Sequence, residues 1–166
     1  MRLSFIAAAS LWVFSLQARP ALAEVESEIA SRTQSYLQAW STNTRAALAD
    51  VRNVYAPLVN FYGRVLDHDA LVREKAQFAR RWPIRRYSIR PNTMRVECDE
   101  QSRRCLVRAV IDWRAENPRR RAISSGSATF VQTYAVLASR PMVVRETGSV
   151  LPRRRMPFPG TPTRSG

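Results

Sequence analysis

From Met94 to Trp113 every second residue is apolar in two runs separated by a polar link, and the intervening positions are mixed, with Leu106 and Val110 among charged residues. Met94, Val96 and Cys98 mark the first run. Cys105, Val107, Ala109, Ile111 and Trp113 mark the second. Successive side chains of a strand point to opposite faces, so a period of two predicts two strands sharing one apolar face. The link from Asp99 to Arg104 is polar and suits a turn. Setting Cys98 opposite Cys105 places Val96 opposite Val107 and Met94 opposite Ala109. A slip of one residue would turn the whole apolar set to solvent, so the register is well specified. On the other face Glu97 and Arg108 become diagonal neighbours of opposite sign. An exported chain would oxidise the two cysteines, and this register brings them within disulfide reach.

A helix is predicted just upstream. Asp67 is a good N-cap, Asp69 lies in the first turn, and Leu71, Lys75, Phe78 and Trp82 follow at helical spacing. Pro83 stops the helix, and Arg80 and Arg81 sit in its last turn, where cations are favoured. Phe78 and Trp82 read as core residues. A strand over Arg85–Arg90 follows. Toward the N-terminus, Glu24–Trp40 reads as a first helix, a second runs from Thr44 or Arg45 to Tyr55, and Leu58–Tyr62 is a short strand. Toward the C-terminus, Ile123–Ala138 is a long strand in which Gly126 suggests a bulge or bend. Met142–Leu151 is the last strand.

The ends are different in kind. Residues 1–23 have the form of a secretory signal peptide: Arg2, an apolar run from Leu3 to Leu16, then Ala21-Leu22-Ala23 before Glu24. The expected product is exported, periplasmic or secreted. One domain is expected over residues 24–151. Residues 152–166 are rich in Pro, Arg and Gly and read as a disordered tail. The formal net charge is +14, and Lys75 is the only lysine. Such charge favours contact with anionic envelope components such as lipid or polysaccharide. Nucleic acid is not expected, since the protein is exported and the basic residues are scattered without stacking aromatics.

Phe61-Tyr62-Gly63, Lys75, Phe78 through Pro83, Arg86-Tyr87, Arg90-Pro91, Asp112-Trp113 and Ser125-Gly126-Ser127 resemble the nuclear transport factor 2-like superfamily. That superfamily includes ketosteroid isomerases and polyketide cyclases, and the likeness is nearest to its small secreted bacterial members. It covers roughly Glu26 to Leu151. It implies an α+β fold in which N-terminal helices pack on a strongly curved, mostly antiparallel sheet, forming a cone. It also allows a homodimer. Function does not follow, because this fold hosts enzymes and binders alike.

No metal or cofactor motif is present: His68 stands alone, and there is no glycine-rich phosphate loop or nucleophile elbow. Asp112 is the catalytic candidate, as a general base of an isomerase or dehydratase, provided that its face of the sheet turns inward. A salt bridge to Arg85, Arg86 or Arg108 is the plainer reading. Glu146, with Arg145 beside it, has the same standing. Trp40, Tyr62, Trp82, Asp112 and Tyr134 are the expected pocket residues. With no acid–base constellation legible, the favoured function is a non-catalytic module binding a small apolar or anionic ligand, or serving as an interaction domain.

Overall fold

The computed structural model describes residues 18–137 and 140–152. Residues 1–17 of the expected signal peptide and residues 153–166 of the expected tail lie outside the described residues. The first helix, α1 (Ala18–Thr42), starts upstream of Glu24. The expected second helix is broken at Asp50 into α2 (Thr44–Ala49) and α3 (Val51–Val54). Asn43 caps α2 by accepting from the Ala46 amide at 3.0 Å. The chain then enters β1 (Tyr55–Phe61), earlier than expected.

A short strand, β2 (Arg64–Asp67), was not anticipated. It pairs antiparallel with β1 across a turn in which Tyr62 and Gly63 both have positive φ, at 49° and 86°. Two such residues between paired strands make a tight hairpin turn. Asn60 Oδ1 braces it by accepting from the Gly63 amide at 3.0 Å. Helix α4 (His68–Arg81) follows, with Asp67 accepting from the Ala70 amide at 2.7 Å as its N-cap. The His68 ring is used locally: Nε2 lies 2.9 Å from the Tyr55 carbonyl oxygen.

The rest is sheet: β3 (Ile84–Ile89), β4 (Arg95–Asp99), β5 (Arg104–Asn117), β6 (Ala122–Leu137) and β7 (Arg140–Thr147). The order is β2-β1-β7-β6-β5-β3, with β4 also on β5. All pairings are antiparallel except β1 with β7. Val150 adds a bridge to Ala128 beyond the last strand. Register shifts interrupt β1–β7 and β6–β7, where irregularities increase local twist.

The β4–β5 hairpin has the register read from its alternation, with Cys98 opposite Cys105 and Val96 opposite Val107. The cysteines are bonded, and Arg108 donates to Glu97 at 3.1 Å on the solvent face. Gly126 makes no bulge. It pairs in register with Trp113, and a Cβ there would stand 2.7 Å from the Trp113 ring. The glycine is a seat for the indole.

Helices and the inner sheet face enclose the core. Ile29, Val51, Tyr55, Leu71, Cys105, Val107, Tyr134 and Val143 fill one part of it. Leu37, Ile111 and Phe130 form a second, smaller group. The second group lines a cavity rather than closing it.

Candidate active site in the cone

The cavity is about 390 Å³ in volume and is bordered by α1, the β1–β2 hairpin, α4 and the inner sheet face. Leu37, Trp40, Phe61, Ile111 and Phe130 supply apolar wall. Lys75 and Glu146 also line it, and they are only 8% and 4% exposed. Alternation puts Glu146 inside: Arg145, its neighbour on β7, points to the opposite face and is exposed. The expected pairing of these two is therefore replaced by Glu146 with Lys75, at 3.6 Å.

Lys75 comes inward because α4 buries Leu71, Lys75 and Ala79, a stripe at intervals of four. Phe78 falls beside that stripe. It is 45% exposed and borders the cavity, so its expected place in the core is corrected. The Lys75 ammonium donates to the Tyr36 hydroxyl at 2.7 Å. Rings of Tyr36, Trp40, Tyr55 and Phe61 surround it, with centroids 4.6–5.3 Å away. Such ring faces attract a cation. Burial pushes the ammonium's pKa down, and the Glu146 charge partly restores it.

Glu146 is held from several sides. The Tyr55 hydroxyl donates to Oε2 at 2.5 Å and Gln132 Nε2 donates to it at 2.8 Å. The Tyr36 hydroxyl lies 3.1 and 3.3 Å from the two carboxylate oxygens. Tyr134 donates to Gln132 Oε1 at 2.9 Å, extending the network outward to Thr33 on α1. Burial, then the Glu146 charge, raises the pKa of both Tyr36 and Tyr55 well above the usual phenol value. An acid–base constellation therefore does exist. It is assembled from α1, β1, α4, β6 and β7, which are far apart in sequence.

Asp112 is elsewhere. Its face of β5 turns to solvent, and its side chain is 42% exposed. Ser88 on β3 stands opposite it, so the same-face diagonal neighbours are Arg86 and Arg90. Arg90 takes the carboxylate at 2.7 Å, with Ser127 as a second donor, and these hydrogen bonds hold the Asp112 pKa below the usual carboxylate range. The expectation of Asp112 as a pocket residue or base is corrected on this placement. Arg85 cannot pair with it either. It points inward, where its guanidinium donates to the carbonyls of Trp82 and Trp40 and to Thr44 Oγ1, clamping the helix ends together.

The other expected pocket residues divide. Trp40 lines the cavity, and Tyr62, half exposed, stands at its mouth with Arg64, Glu74 and Phe78. Trp82 is the C-cap of α4, with its ring beneath the Arg81 guanidinium, and does not border the cavity. Tyr134 is buried and borders a second cavity of about 340 Å³ between α1 and α2–α3, on the far side of Tyr36 and Trp40. The sequence did carry a signal for the missed residue: the only lysine of an arginine-rich chain lies on the apolar stripe of α4.

Comparison with solved structures gives the fold. A nuclear transport factor 2-like superfamily protein from Salmonella enterica aligns with a TM-score of 0.67 at 11% identity, over 84% of this chain and 99% of that one. A scytalone dehydratase candidate from Novosphingobium aromaticivorans gives 0.63 at 10% identity, over 79% and 86%. An uncharacterised Caulobacter vibrioides protein with a cystatin-like fold gives 0.64 at 12%, over 78% and 92%. No family model and no curated protein matches the sequence. The chain has the nuclear transport factor 2-like fold: helices on a mostly antiparallel, curved, open sheet.

Proposed function

We propose that the protein is a non-catalytic binding module. Its cone takes a small molecule with a flat apolar body and an anionic or carbonyl acceptor directed at Lys75. The observation that carries this reading is the state of the two buried charges. Glu146 already accepts from Tyr36, Tyr55 and Gln132 besides facing Lys75, so its oxygens are engaged within the protein rather than offered to a ligand. Lys75 has one short hydrogen bond and three N–H groups. It therefore keeps donor capacity on the wall of an aromatic cavity, a common form of small-molecule site.

Calorimetry and thermal melts with trans-cinnamate and related aromatic acids test the proposal. Binding and a raised melting temperature are expected, both lost in Lys75→Met. Tyr62→Ala is expected to weaken binding while costing little stability, because that ring is half exposed. Equal binding by Lys75→Met would sink the reading.

A second reading is acid–base chemistry of the dehydratase kind, with Glu146 rather than Asp112 as the central carboxylate. The Glu146, Tyr36, Tyr55 and Lys75 cluster supports it, and so does the name of the Novosphingobium neighbour. Turnover of a hydroxylated aromatic substrate, abolished by Tyr55→Phe with binding retained, would favour it.

We further infer export, with a mature N-terminus at Glu24. The support is the Arg2, apolar-run and Ala21-Leu22-Ala23 series together with the Cys98–Cys105 bond. N-terminal sequencing of protein from its host checks this, and an intact Met1 would contradict it.

A further inference from the structure

We infer that Lys75 captures aldehydes and small ketones in the cone as a reversible imine. This rests on the ligand-binding reading above and deepens it by naming the ligand's reacting group as a carbonyl.

Three observations meet at this residue. Apart from His68, arginine fills every other basic side-chain position of the chain, and lysine stands only on the cavity wall beside a buried carboxylate. A guanidinium stays charged in proteins, whereas a buried lysine can give up its proton and act as a nucleophile. The surroundings are largely buried and aromatic, with four ring centroids within 5.3 Å of Nζ. The lowered ammonium pKa agrees with this environment. Finally, a proton route is already laid out. Nζ donates to the Tyr36 hydroxyl at 2.7 Å, and that hydroxyl lies 3.1 Å from Glu146 Oε2.

The step balances without an outside reagent. The ammonium proton passes to the Tyr36 oxygen as the Tyr36 proton passes to Glu146, leaving a neutral amine and a carboxylic acid. The Nζ lone pair forms a bond to the carbonyl carbon, and the carbonyl π pair moves to oxygen. A nitrogen proton moves to that oxygen, giving the carbinolamine. Glu146 returns its proton to the hydroxyl, the C–O bond breaks, and water leaves. The product is a protonated imine facing a Glu146 carboxylate. Its positive charge sits where the ammonium's did, so the same rings and carboxylate hold it. The other titratable groups bordering the cavity are Tyr62, Arg64, Glu74 and Tyr87. Arg64 and Glu74 pair with each other at the mouth, 3.2 Å apart.

The test treats the full chain with trans-cinnamaldehyde and sodium cyanoborohydride at neutral pH, followed by intact-mass measurement and peptide mapping. The expected result, read in the Lys75 peptide so that labelling of the α-amino group is scored separately, is one adduct on Lys75, heavier by the mass of the aldehyde less one oxygen. It should form faster in the folded protein than in urea, be suppressed by excess cinnamate, and be lost in Lys75→Arg. Lys75 is the only lysine, so the wild-type rate comparison stands even if that variant fails to fold. Labelling no faster in the folded state than in urea overturns the inference. If cinnamate still binds in that case, the binding-module reading survives alone. If neither compound binds, both fall.

Discussion

Asp112 and Glu146 are carboxylates on one sheet, each paired with a basic residue, and they live in opposite conditions. Asp112 meets Arg90 at 2.7 Å on the outer face, where both side chains are more than 40% exposed. Glu146 meets Lys75 at the longer distance of 3.6 Å, yet both side chains are below 10% exposed. The shorter pair is the weaker determinant of structure. Water and salt screen the outer charges, and exposed pairs contribute little. The inner charges have lost their water and depend on the tyrosines, Gln132 and each other. Distance alone thus misranks the two pairs.

The sharpest way to break this comparison is Glu146→Gln. The amide keeps the size of the side chain but leaves the Lys75 charge buried and unpaired, and the expected loss is about 3–5 kcal/mol. Adding Lys75→Met removes that orphan charge and is expected to recover most of the loss. Urea unfolding of the single and double variants checks both. A double variant no more stable than the single would mean that the charge pairing is not what matters.

Next in size is the alkaline response. Burial raises the Tyr134 pKa to about 12. A phenol whose folded pKa lies above its unfolded value of about 10 contributes stability that is fully present below pH 10 and lost as pH climbs toward 12. Two pH units correspond to roughly 2–3 kcal/mol. Tyr36 and Tyr55 act in the same direction. Lys75 acts oppositely. Its pKa is lowered in the fold, so the unfolded chain binds more protons just below pH 10.5, and stability gains from Lys75 as pH rises through that window. Urea midpoints collected from pH 8 to about 12 should therefore fall less steeply above pH 10 in Tyr134→Phe than in the wild type. In Lys75→Met the gain below pH 10.5 should be missing.

The smallest expected effect sharpens the outer half. Asp112→Asn should lower the unfolding midpoint only slightly at neutral pH, since the pair is exposed, and leave cinnamate binding intact. As the Asp112 pKa is lowered in the fold, its contribution is present above the unfolded value and fades as pH falls through the folded one. A loss of binding in Asp112→Asn would move the functional site to the outer face.

How much of this was legible differs by element. The β4–β5 register was readable because one face of the hairpin is wholly apolar and the cysteines mark the pair. The start and stop of α4 were readable because Asp67 and Pro83 act on their immediate neighbours. Strand β2 escaped because only four residues form it and the Tyr62-Gly63 turn read as the end of a strand. Glu146 was recognised as a candidate, but its partner was sought next to it in sequence. Adjacent residues on a strand cannot share a face, so that partner had to come from another element.

The sequence by itself determined the alternation of the hairpin, the ends of α4 and a chain whose single lysine lies on an apolar stripe. These are local matters of period, capping and composition. Only the tertiary structure decided which face of β5 is wet, that Glu146 and Lys75 meet, and that Tyr36 and Tyr55 close around them. Those four residues come from β7, α4, α1 and β1, and their meeting follows from the strand order and the way α1 and α4 cover the sheet. No local pattern encodes that geometry, because it arises from burying faces that are far apart along the chain.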